Sequence, residues 1–98
     1  MRIYSVFIEG VMTMMKKKSE EALKILAQLT PYARKCDDMR LTPLINKYFG
    51  YGYFKLSDFA KSITYYQKIK PTDMDETSTY NRLLAEGVEL ADRHHRFP

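Results

Sequence analysis

The sequence predicts an all-α protein of about five helices, arranged as antiparallel helix-hairpin repeats. Three observations carry that reading. Apolar residues recur at helical offsets in successive segments. Serine, threonine, aspartate and proline fall between those segments, where helix starts and stops belong. No run alternates apolar and polar residues long enough to form a strand.

The first segment carries Ile3, Val6, Phe7, Gly10, Val11 and Met14, which share one helical face. Lys16, Lys17 and Lys18 suit its C-terminal end, where the helix dipole favours cations. Ser19 is expected to cap the second helix, with Glu20 and Glu21 in the first turn and Ala22, Leu23, Leu26 and Leu29 as the apolar stripe. Leu-Thr-Pro then occurs twice, at Leu29-Thr30-Pro31 and Leu41-Thr42-Pro43. A threonine cap followed by proline opens a helix, because the first turn needs no donor from proline. The second copy opens the third helix, from Pro43 to about Lys55. The first copy either ends the second helix at Leu29 or kinks it, and a kink or restart running through Tyr32, Ala33 and Cys36 is favoured.

Ser57 and Asp58 are caps for a fourth helix bearing Phe59, Ile63, Tyr66 and Ile69, which Pro71 stops. Thr72 and Asp75 are spaced to satisfy each other's orphan donors at the following turn. A fifth helix carries Tyr80, Leu83, Leu84, Gly87, Val88 and Ala91. Its polar, basic end, from Asp92 to Arg96, suits a helix that covers the end of an array.

One spacing recurs. Ile3-Val6-Phe7-Gly10-Val11-Met14 has the offsets of Ile45-Tyr48-Phe49-Gly52-Tyr53-Leu56 and of Tyr80-Leu83-Leu84-Gly87-Val88-Ala91. The copies lie about 42 and about 35 residues apart, in the range of helix-pair repeats. Glycine inside a helix costs about 1 kcal/mol against alanine, so three equivalent glycines imply close approach of a neighbouring helix. A second register is also open: Gly10 pairs with Gly50, which aligns Ala22 with Ser62.

The middle of the chain resembles the tetratricopeptide repeat family. Phe49-Gly50-Tyr51-Gly52-Tyr53 is similar to its Leu-Gly-x-x-Tyr element, and Ser57-Asp58-Phe59 to its turn. Ser62 stands where alanine is usual, Tyr66 at the later aromatic, and Tyr65-Tyr66-Gln67-Lys68 is close to the family's second helix. Asn46 replaces the large aromatic that begins the pattern, and Pro71 arrives early for its closing proline. The match covers roughly a third of the chain, with the flanks alike only in their helical faces. The resemblance implies one domain over 1–98, with repeats at 1–40 and 43–76 and a terminal or capping helix at 77–95. About two and a half copies imply a continuation in a longer protein or self-association, since such arrays need about three to bury their faces.

Residues 48 to 68 hold eight of the thirteen tyrosines and phenylalanines. Phe49, Tyr53, Phe59 and Tyr66 fall on faces that knit a helix pair together, so they are expected in the core. Lys47, Tyr51, Phe54 and Lys55 fall on the other side of the same helix. The resemblance implies that this side lines a concave groove for extended or helical peptides. Lysines beside rings there favour an acidic side chain or a C-terminal carboxylate.

Catalytic chemistry finds no support. Cys36 lies beside Asp37 and Asp38, which oppose thiolate formation. His94 and His95 splay about 100° apart on a helix and cannot readily share a metal. Asp73, Asp75 and Glu76 lack the glycine and spacing of a calcium loop, and no phosphate loop, zinc pattern or nucleophile elbow occurs. The expectation is a non-catalytic protein- or peptide-binding scaffold without cofactor or metal.

The chain has 98 residues, 45% hydrophobic and 29% charged, with a net charge of +4. One cysteine allows no internal disulfide and fits a reducing compartment. Ile3 to Met15 is too short for a membrane span, has Glu9 at its middle and is followed by lysines, unlike a secretory leader. A cytoplasmic setting is therefore expected. The basic clusters at Lys16 to Lys18 and Arg93 to Arg96 leave nucleic acid as a disfavoured partner, since such clusters usually solubilise helix ends. Two rival readings are part of a bacterial peptide-sensing transcription regulator, without a visible helix-turn-helix reader, and a self-associating structural protein.

Overall fold

The computed structural model describes residues 3–36 and 41–96. It is all-α, and the described residues contain no strand. The helices are α1 (Ile3–Met15), α2 (Ser19–Ala27), α3 (Thr30–Cys36), α4 (Leu41–Lys55), α5 (Phe59–Gln67) and α6 (Glu76–Arg96), with a 3-10 turn at Pro71–Asp73 before α6.

Two helix pairs, α1 with α2 and α4 with α5, are built alike. Two residues beyond each first helix stands a residue in the left-handed region, Lys17 (φ 63°) or Ser57 (φ 62°). The bonds around them recur. Lys17 N donates to Met14 O and Ser57 N to Phe54 O, both at 3.0 Å. Lys18 N donates to Thr13 O (3.2 Å) and Asp58 N to Tyr53 O (2.9 Å). This bond pattern closes a helix by satisfying its last carbonyls while the chain reverses. Beyond the turn, the second helix passes close to a glycine of the first. A Cβ at Gly10 would lie 2.5 Å from Leu26 Cδ2, and one at Gly50 would lie 2.7 Å from the Tyr66 ring. Ala22 and Ser62 are fully buried at equivalent places.

The register is therefore Gly10 with Gly50, an offset of 40 residues. The three-glycine template is corrected by this. Gly52 joins one pair to the other: its Cβ would meet Leu23 Cδ2 at 2.7 Å and Met14 Cε at 2.9 Å. Gly87 has nothing within 4 Å. Glycines at matching sequence offsets thus serve different neighbours, because the pairs stack rather than repeat one contact.

The main core lies where α2 and α3 meet α4, and includes Leu23, Leu26, Leu29, Ala33, Leu41, Ile45 and Phe49. The Leu-Thr-Pro breakpoint at Leu29 is a restart, with α3 beginning at Thr30. In α4, Leu41 and Thr42 are already helical, so Pro43 sits inside the first turn, where it forfeits no helical bond.

Ring packing ties α4 to α5. Tyr65 stacks on Phe49 (centroids 4.9 Å) and on Tyr53 (5.5 Å). Phe49 and Tyr66 are buried, whereas Tyr53 and Phe59 are only partly so. The Tyr66 hydroxyl accepts a hydrogen bond from Asn81 Nδ2 at 3.3 Å. Burial pushes this phenol up to about 12.

Capping differs from expectation at two helices. Ser19 is a buried first-turn residue of α2, and Lys18, which holds the cap position, makes no side-chain cap bond. Asp58 caps α5, accepting from Lys61 N at 3.3 Å. Asp75 alone caps α6, accepting from Ser78 N at 2.7 Å, while Thr72 lies exposed in the 3-10 turn.

The apolar stripe of α6 does not pack on the helix pairs. Its inward residues are Ser78, Asn81 and Ala85, all buried. Tyr80, Leu83, Leu84 and Val88 are 63%, 55%, 41% and 45% exposed. Small polar side chains face inward because the buried Tyr66 hydroxyl needs a partner, which no leucine supplies.

Candidate functional site

Lys47, Tyr51 and Lys55 follow one another at four-residue spacing, so they stack along one face of α4. That face meets α1 and the start of α6. Val11, Met14 and Met15 from α1, Lys47 and Tyr51 from α4, and Asp75 before α6 line a cleft of about 250 Å³. A second cleft of about 390 Å³ adjoins it, with Met14, Met15 and Tyr51 in both walls. Lys17, Ser19, Lys55 and Leu56 complete the second one. Tyr51 is thus the ring between two clefts with an apolar methionine wall.

The two lysines of α4 differ in state. Lys47 Nζ lies 2.6 Å from Asp75 Oδ2. Its ammonium, helped by the Ser78 N–H, holds the Asp75 carboxyl down to about 2 against the opposing effect of burial. A carboxyl lowered in the fold adds stability above its ordinary value of 3.8 and loses that contribution as pH falls towards about 2. Lys47 therefore already has a carboxylate, supplied by this chain. Lys55 does not. Its ammonium lies 5.4 Å from the Tyr51 ring centroid, within cation–π range. Among the described residues neither Lys55 nor Lys17 has an ion-pair partner.

Phe54 stands apart from the other three candidates. It makes an edge-to-face contact with Phe59 at 5.5 Å and lines neither cleft. The helical turn that aligns Lys47, Tyr51 and Lys55 rotates Phe54 towards the start of α5.

Sequence reasoning missed Lys17 and Asp75 as residues of the clefts, and Tyr65 as a ring packed between α4 and α5. Lys17 and Asp75 are brought in by tertiary contacts across distant segments, for which local spacing carries no signal. For Tyr65 there was a signal: it sits four residues from Ile69 and beside Tyr66, on the flank of an apolar stripe.

The side chains of Cys36, His94, His95 and Arg96, together with Asp37 and Asp38, lie outside the described residues. Among the described residues no cluster of three metal-ligating side chains occurs, and no helix is long and apolar enough to cross a membrane. Compared with known proteins, the chain matches no family model, no curated protein and no solved structure.

Proposed function

We propose that this chain is a non-catalytic protein- or peptide-binding module of the tetratricopeptide type, which takes its ligand along the face shared by α1, α4 and the start of α6. The observation that carries this reading is the position of Tyr51 between two adjoining clefts, with Lys17 and Lys55 unpaired beside it among the described residues. An apolar wall with two unneutralised ammonium groups suits a short acidic segment or a peptide C-terminus. The rings and methionines would hold its side chains while the lysines meet its carboxylate. Lys47 keeps α6 in place through Asp75 and does not contact the ligand directly.

The test is fluorescence anisotropy on matched peptides, one set with free and one with amidated C-termini, each with and without acidic residues. Lys55→Glu is expected to weaken the acidic or free-terminus peptides about tenfold, corresponding to about 1.4 kcal/mol, with an unchanged melting temperature. Equal affinity of both proteins for every peptide would overturn the assignment.

A further inference from the structure

We infer that the exposed face of α6 is the contact surface for a second copy of this chain, with the two α6 helices packed antiparallel. This rests on α6 alone and does not depend on the peptide reading.

Gly87 is the first observation. Gly10, Gly50 and Gly52 each have a side chain occupying the space a Cβ would need, and Gly87 has nothing within 4 Å. A glycine in a helix interior weakens that helix, and at Gly87 no contact among the described residues offsets the loss. It lies amid exposed Tyr80, Leu83, Leu84, Val88 and Leu90, one residue from the middle of Glu76–Arg96. The vacant space is therefore at the centre of an apolar stripe.

Self-complementarity is the second. Tyr80, Leu84, Gly87 and Ala91 follow one another at steps of four, three and four, the heptad spacing of a two-helix seam. Run antiparallel about the centre of that stripe, Leu84 of each copy meets Gly87 of the other, and Tyr80 meets Ala91. Every layer then pairs a large side chain with a small one, twice over by symmetry, as an isologous contact requires. Leu83 and Leu90, 55% and 57% exposed, flank the seam and approach each other across it.

Charge is the third. The helix starts at acidic Glu76 and its sequence ends in the basic run Arg93-His94-His95-Arg96. Antiparallel packing sets the acidic start of one copy beside the basic end of the other. Parallel packing would juxtapose like charges at both ends.

Sedimentation velocity over a concentration series, paired with circular dichroism, tests this. The wild-type chain should sediment as a dimer at micromolar concentration and dissociate on dilution. Leu84→Glu and, separately, Gly87→Gln should give monomers at the same concentration with undiminished helix content, because both positions are exposed in the single chain. A wild-type chain that stays monomeric up to millimolar concentration would overturn the inference, and would leave the face to a helix of another sequence. A dimer that survives both substitutions would also overturn it.

Discussion

The two helix pairs share a turn geometry and differ in their fillings. In α1–α2, Gly10 receives Leu26 and Ala22 sits at the close contact. In α4–α5, Gly50 receives Tyr66, and Ser62 replaces the alanine with its hydroxyl donating to Gly50 O at 2.7 Å. The turn geometry is common to both, and it is fixed by backbone bonds rather than by the side chains at Lys17 and Ser57. What differs is the connection onward. The first pair is sealed by aliphatic contacts, with Leu26 wholly buried. The second pair carries a polar group through its core to the next helix, since the Tyr66 hydroxyl reaches Asn81 of α6. The frame is thus specified by small residues and turns, and the filling decides what docks on it.

The largest effect that separates the pairs should come from filling their glycines. Gly50→Leu meets three atoms of a flat ring within 3 Å, and that ring is held by Asn81. It is expected to destabilise by about 3 kcal/mol, the upper end of overpacking costs. Gly10→Leu meets a branched aliphatic chain that can change rotamer, so its loss should be smaller by about 1 kcal/mol. Urea denaturation of both variants measures this. A larger loss at Gly10 would show that the rings of the second pair yield more readily than the leucine of the first.

Alkaline titration should distinguish the pairs next. The Tyr66 phenol is raised from 10.0 to about 12, so the folded state prefers it neutral. That preference is fully present below pH 10, where the unfolded phenol is also neutral, and is lost as pH rises from 10 to 12. The wild type should lose stability relative to Tyr66→Phe by about 1.4 kcal/mol per pH unit in that window. Parallel stability profiles for the two proteins would mean that Tyr66 is open to solvent.

The smallest effect sharpens the comparison most. Ser62→Ala turns the second contact into the first and should cost about 0.5–1.5 kcal/mol, the worth of one hydrogen bond. The reciprocal Ala22→Ser should be neutral to within about 0.5 kcal/mol, because equivalence of the two pairs implies that Gly10 O accepts from a hydroxyl there. A loss of about 1–3 kcal/mol at Ala22→Ser would indicate a buried hydroxyl without an acceptor, and the pairs would not be equivalent.

Much of the frame was legible in the sequence. Helical spacing at Ile3 to Met14 and the breaker at Leu29-Thr30-Pro31 lead directly to α1 and to the restart at α3. The pairing of Gly10 with Gly50 was one of two open registers, because sequence offsets cannot say which side chain lies over a glycine. Which face of α6 is buried was not legible, for a clear reason. Amphipathicity locates an apolar face but not the neighbour that covers it, and here a buried tyrosine hydroxyl selects the polar face instead. At the candidate site, four-residue spacing was enough to group Lys47, Tyr51 and Lys55. Asp75 joins Lys47 only through the fold, so the neutralisation of one lysine and not the other could not be read from spacing.

The proposal that matters most is ligand binding on the α1–α4–α6 face, and a backbone amide NMR titration with an acidic peptide tests it most directly. The expected result is saturable shift changes at Val11, Met15, Tyr51, Lys55 and at Thr77, which also lines the first cleft, with Thr64 and Gln67 on the exposed side of α5 unmoved. Shifts confined to α5, or none at any peptide concentration, would contradict it.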